Sequence, residues 1–225
     1  MITQLRIIIL TLVCAGAQTQ AQDFKQVVMQ LQEKYRQMNN MHIVMDVAVF
    51  TKTNPADVHY QLQVDIKKEG EKYLYRFGSN DMLMNEKYLI MVNRAEKEIV
   101  YTTRDVKNEA AMRKSFKFNI DSILSFYKEP KYLGIQNGIT HFQLDERNGD
   151  VKTIDLFVWN ETGLLESISY EYNTGQVASI RFRVFDTAPR FETLTFDETH
   201  YITRANNGML PASAFKGFNI STPNL

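Results

Sequence analysis

The feature that most constrains this chain is a two-residue period that recurs along most of its length. Val58, Tyr60, Leu62, Val64 and Ile66 alternate with Asp57, His59, Gln61, Gln63, Asp65 and Lys67. In an extended chain successive side chains point to opposite faces, so this pattern predicts an antiparallel strand with one buried and one wet face. Ile43, Met45, Val47 and Val49 follow the same period just before it. After it come Tyr73, Tyr75 and Phe77 against Lys72, Leu74 and Arg76. Further strands are predicted over 81–84, 88–92, 98–103, 131–136, 139–145, 151–159, 164–172 and 176–185. Turn residues punctuate them: Asn54-Pro55, Glu69-Gly70, the stretch 93–97, Asn137-Gly138, Asn148-Gly149, Thr162-Gly163 and Thr174-Gly175. Glycine supplies the positive φ that tight hairpins need, so the Gly pairs read as corners, not as ligand-gripping loops. Short strands at even spacing indicate a meander that curves into a sandwich or barrel.

Two stretches break the period. Phe24, Val27, Val28, Leu31, Tyr35 and Met38 recur at helical spacing, with Asp23 as N-cap, and predict one amphipathic helix. Residues 105–127 hold two short helices, the second capped by Asn119, carrying Ile120, Ile123, Leu124 and Tyr127 on one face and stopped by Pro130. Beyond Pro189 the pattern fades, and Phe196, Tyr201, Ile202, Phe215 and Phe218 are scattered among polar residues.

The first 21 residues have the layout of a secretory signal: Arg6, an apolar run over 7–13, then small residues with cleavage after Ala17 or Ala21. The run is shorter than the roughly 20 residues that span a bilayer. Cys14 is the chain's one cysteine, and Thr11 and Val13 stand where a lipid-attachment signal wants a leucine and a small residue. Residues 22–225 then form a single exported domain without disulfides, held by its core alone. Lys and Arg balance Asp and Glu at 26 each, which offers nothing to nucleic acid or to an anionic membrane surface.

Catalytic and metal signatures are absent. His42, His59, His141 and His200 show no metal-ligand spacing, and there is no nucleophile elbow, phosphate loop or dinucleotide fingerprint. One cluster, Asp197-Glu198-Thr199-His200, carries a weak metalloenzyme reading against a plain solvated turn. The chain is rich instead in adaptable apolar residues: ten Met, 14 Phe and 11 Tyr. Methionine suits surfaces that accept varied apolar partners, although most such residues simply fill cores.

Two stretches carry a family resemblance. "KKEGEKYLYRFGSNDMLMNEKYLIMVNRAEKEIVY" (67–101) and "LFVWNETGLLESISYEYNTGQVASIRF" (156–182) resemble the strand series and the "tGl" corner of the LolA-like lipoprotein carriers, which include LolB-like acceptors and the RseB-type sensor domain. Glu71-Lys72 and Leu89 replace the family's usual Arg-Pro and Trp. The resemblance implies an α+β fold: an open, strongly curved antiparallel half-barrel of about 10–11 strands, with the N-terminal helix and short helices closing its concave face. It implies a non-enzymatic periplasmic carrier of lipid or lipoprotein acyl chains without a cofactor, served by an inner-membrane donor and an outer-membrane acceptor. A non-catalytic envelope binding or sensing module on the same fold is the alternative. The expected lining is Tyr60, Leu62, Val64, Tyr73, Tyr75, Phe77, Met82, Met84 and Met91, with Ile123 and Leu124 as lid. By resemblance Arg76 steers the lid or the lipid head. The lining depends on which face turns inward, and a one-residue slip reverses it.

Overall fold

The computed structural model describes residues 24–104, 125–147, 149–206 and 208–223. Its first element is a helix, α1, over residues 24–37. Asp23, the expected cap, lies outside the described residues, as do the signal segment and residues 105–124 with the expected short helices. Fourteen strands follow among the described residues: β1 Asn40–Thr51, β2 Asn54–Glu69, β3 Lys72–Phe77, β4 Asn80–Met84, β5 Tyr88–Asn93, β6 Glu98–Thr103, β7 Lys131–Gln136, β8 Ile139–Asp145, β9 Val151–Trp159, β10 Leu165–Tyr172, β11 Gln176–Asp186, β12 Ile202–Ala205, β13 Gly208–Pro211 and β14 Asn219–Ser221. Twelve form one open sheet in the order β14-β6-β5-β4-β3-β2-β1-β11-β10-β9-β8-β7, and β12 pairs with β13. The ladders from β2 to β6 and from β7 to β11 are antiparallel, whereas β14 runs parallel to β6. This is the α+β, open antiparallel class that the resemblance implies, with the tail supplying a twelfth strand.

Gly138, Gly163 and Gly175 take the positive φ that the sequence predicts for their corners, whereas Gly149 does not. Asn137 and Gly138 have φ of 51° and 76°, the paired positive values of a type I′ hairpin turn. Gly163 and Gly175 have φ of 59° and 82°. One corner moves: the β1–β2 turn falls at residues 52–53, and Asn54 and Pro55 already belong to β2. Lys52 donates its backbone N–H to Gly175, and the Thr51 hydroxyl donates to Asp57 at 2.9 Å, which fixes the turn before the proline.

The chain divides into two compact units. The first comprises residues up to 37, 47–61 and 118–181. Its core joins Phe24 and Leu31 of α1 to Phe142 and Leu144 on β8 and to Leu156 and Val158 on β9. These are alternate residues of their strands, so one face of the sheet receives the apolar stripe of the helix. Phe24 meets Phe142 edge-on at 5.3 Å.

The second unit comprises residues 38–46, 62–117 and 182–225. Its core joins Leu74, Leu83, Ile90, Val92 and Ile99 of β3–β6 to Phe196, Tyr201, Ile202, Ala212 and Phe215 of the tail. The tail that looks irregular in sequence is therefore half of a core. It contributes one apolar residue per turn or short strand, a spacing that leaves no period to read. Tyr201 and Phe215 stack at 5.5 Å, and Phe215 meets Phe218 edge-on at 5.1 Å. Asn85, buried under this segment, ties it down: its amide donates to Phe196 O at 3.1 Å and to Glu198 at 2.7 Å, and its Oδ1 accepts the Lys87 and Tyr88 backbone N–H groups.

Candidate functional site

The second unit has two unlike sheet faces. Directly paired residues project to the same side of a sheet, so the register sorts them. One side carries the rows Leu74–Leu83–Ile90–Tyr101 and Arg76–Asp81–Val92–Ile99, which meet the tail. The other side carries Ile66–Tyr75–Met82–Met91–Val100, an apolar row across five strands, about 19 Å long at the usual strand spacing. A second row, Lys68–Tyr73–Met84–Leu89–Thr102, lies beside it, and a third begins with Val64–Phe77.

None of these apolar side chains is fully buried. Met91 is 50% exposed and Phe77 37%, and the rest are half-buried. The Tyr73 and Tyr75 rings stack in parallel at 5.9 Å, and the Lys68 ammonium sits over the Tyr73 ring at 5.9 Å while donating to Met38 O. Charge is confined to the ends of the rows, at Lys68 and at Glu98 beyond Asn93.

Of the residues expected to line a cavity, Val64, Tyr73, Tyr75, Phe77, Met82, Met84 and Met91 share this face, and Leu62 joins them by strand alternation from Val64. Arg76 does not: it stands on the opposite side, cross-strand from Asp81 and Asp65. Tyr60 belongs to the first unit and is 52% exposed. Ile123 and Leu124 lie outside the described residues. Register adds three residues that strand-by-strand reading passed over, namely Ile66, Leu89 and Val100. Leu89 and Met91 share a parity in sequence, and that signal could have found Leu89.

The two carboxylates of the Asp197–His200 cluster are spent on structure. Asp197 caps the 3-10 turn Glu198–His200 by accepting the Thr199 N–H at 2.7 Å, which with the Thr199 hydroxyl holds its carboxyl below the usual range. Burial pushes Glu198 up, but hydrogen bonds from Lys87 at 2.7 Å, its own backbone and Asn85 outweigh it and leave the carboxyl low. Among the described residues no three His, Cys, Asp or Glu side chains converge as metal ligands.

The open antiparallel sheet, with one helix-covered stretch and a half-exposed apolar stretch, is a fold shared with solved structures. No family model and no curated protein matches the chain. Solved structures do. MucB of Pseudomonas aeruginosa, in its complex with MucA, aligns over 84% of this chain and 63% of its own, at 13% identity and a TM-score of 0.50. An uncharacterized conserved protein from Thermus thermophilus aligns over 89% and 99%, at 9% identity and a TM-score of 0.45. A LolA superfamily protein from Nitrosomonas europaea aligns over 76% and 96%, at 7% identity and a TM-score of 0.31. At such identities the likeness speaks for the fold alone. No helix among the described residues is long and apolar enough to cross a membrane.

Proposed function

We propose that this chain is a non-catalytic, exported cell-envelope protein that holds the acyl chains of lipids or lipoproteins against the β2–β6 face of its second unit. Residues 1–21 are the removed signal and residues 22–225 the working domain. The observation that carries the reading is the five-strand row Ile66–Tyr75–Met82–Met91–Val100. A sheet whose other face already has its core gains nothing in stability from leaving such a row half exposed. Acyl chains gain about 0.8 kcal/mol for each CH₂ moved out of water, and flexible methionines accept chains of different shape. Leu62, Val64, Tyr73, Phe77, Met84 and Leu89 widen the site. Arg76, on the far face, takes no part in the grip. A grip without a covalent bond permits release, as delivery from an inner-membrane donor to an outer-membrane acceptor requires.

A second reading is a module that presents the same apolar face to a protein. The MucB structure is a complex with another protein, MucA, and this favours keeping it. Organic extraction of the gently purified chain followed by mass spectrometry separates the two. Co-purifying lipid, and displacement of a fluorescent fatty-acyl probe that Leu62→Asp and Tyr75→Asp abolish, support the carrier. A lipid-free chain that binds no acyl probe leaves only the protein-binding module.

A further inference from the structure

A second site lies on the first unit, on the sheet face turned away from α1. There a cleft of about 740 Å³ opens over β7–β11, within the roughly 300–1,000 Å³ of ligand sites. The register builds its floor. Gly134, His141, Phe157, Ser167 and Arg181 form one row across five strands, and Gln143, Asp155, Ser169 and Ser179 form the next. The residues of opposite parity, such as Phe142 and Leu156, pack into the core under α1. This face therefore owes nothing to the fold's own core, yet it is recessed and chemically mixed.

Its charges are already matched. Arg181 Nε donates to Glu166 at 3.1 Å, and Glu166 also accepts the Ser167 hydroxyl. His141 Nε2 and Asp155 Oδ1 are 2.7 Å apart, and the same oxygen accepts the Gln143 amide at 3.1 Å. What is left over is hydrogen-bonding capacity, both donating and accepting, with no net charge beyond the Arg181–Glu166 pair. Among the described residues the two terminal nitrogens of Arg181, the Ser179 hydroxyl and the Gln136 and Asn137 amides have no partner, though all five groups line the cleft or its hairpin tip. Apolar surface adjoins them: His141 stacks on the Phe157 ring at 4.2 Å, and Leu133 at the cleft stands 49% exposed.

This combination selects a ligand class. An anion finds one guanidinium, already neutralised by Glu166, with Asp155 nearby. A cation finds no carboxylate free of a donor. A plain acyl chain would strip water from the amides and the guanidinium without replacing its hydrogen bonds, at a cost for each group. A sugar ring carries adjacent hydroxyls that both donate and accept, and a C–H face that lies against apolar side chains. The geometry points to a short uncharged glycan as the ligand of this cleft, held by Gln136, Asn137, Ser179 and Arg181 against Phe157 and Leu133.

The test is titration of the full chain, followed by NMR and calorimetry, with four probes: chitotriose, maltotriose, tri-galacturonic acid and a short basic peptide. The expected result is saturable binding of at least one uncharged trisaccharide, with amide shifts centred on residues 133–141 and 179–181. Arg181→Met should weaken it about tenfold or more and Ser179→Ala about threefold or more, as loss of a charged and of a neutral ligand hydrogen bond does. Ser179→Ala makes no demand on the Glu166 pair, so it remains informative if Arg181→Met folds poorly. Met91→Asp, on the other unit, should leave glycan binding unchanged while reducing acyl-probe binding, so the two sites stand or fall separately. Binding of neither uncharged sugar overturns the proposal. So does binding of the acidic sugar or the peptide alone at these residues, or binding unaffected by both substitutions.

Discussion

Met82 and Leu83 are neighbours in β4 and should behave oppositely when truncated to alanine. Leu83 is 0% exposed and packs with Leu74, Ile90 and the tail aromatics. Leu83→Ala removes three carbons, worth about 2.4 kcal/mol at 0.8 per CH₂. Neighbours from four strands and the tail cannot all collapse into the gap, so a cavity penalty adds to this and the total reaches about 3–5 kcal/mol. Met82, on the open face, is half-buried in the row between Tyr75 and Met91. Its truncation forfeits the mostly buried end of a flexible side chain but opens no closed cavity, about 1.5–2 kcal/mol. Urea unfolding followed by circular dichroism reads the stability difference, and displacement of a fatty-acyl probe reads the function. Leu83→Ala should shift the midpoint strongly and bind probe normally while folded. Met82→Ala should shift the midpoint about half as far or less and weaken the probe severalfold. Equal stability losses, or probe binding more sensitive to Leu83 than to Met82, would refute the assignment of faces and the proposed site with it.

Asn85→Ala should cost about 2–4 kcal/mol, measured by the same unfolding curves, because it strands two backbone N–H groups and a carbonyl beneath the tail. Gly138→Ala should cost about 1 kcal/mol through its φ of 76° alone, since a Cβ there meets nothing within 4 Å; a thermal shift of a few degrees checks it. Burial pushes the Tyr35 hydroxyl up to about 12, with the Leu165 backbone opposing. An unfolded tyrosine loses its proton near pH 10, so this contribution is intact below pH 10 and is lost as the pH rises toward 12. Tyr35→Phe should remove about 1 kcal/mol of the stability difference between pH 9 and pH 11, and half-buried Tyr170 and buried Tyr201 supply part of the remaining slope. On the acid side, the Lys52 and Lys152 ammoniums hold the Glu171 carboxyl low. Its contribution is present above the ordinary carboxylate range and lost as the pH falls through the lowered value, so Glu171→Gln should flatten the acid limb of an unfolding profile.

The strands and corners of this protein were legible in its sequence because they are local. Alternation from Val58 to Ile66 makes a half-wet strand whatever lies beside it, and Asn137-Gly138 can supply paired positive φ on its own. The helix near residue 24 announces itself for the same reason: its apolar stripe is complete within four turns. What each face meets is not local. A hydrophobic residue in β4 is apolar whether it enters the core, like Leu83, or stays half open, like Met82, and only the hydrogen-bonded register decides. Register placed Arg76 on the far face and recruited Ile66, Leu89 and Val100 to the row. It also aligned His141, Phe157, Ser167 and Arg181, which lie up to 40 positions apart, along one cleft floor. The tail shows the limit most plainly. Phe196, Tyr201, Ile202 and Phe215 have no common period because their order comes from the surface they cover. A core closed by irregular chain can be recognised only when the strands beneath it are in place.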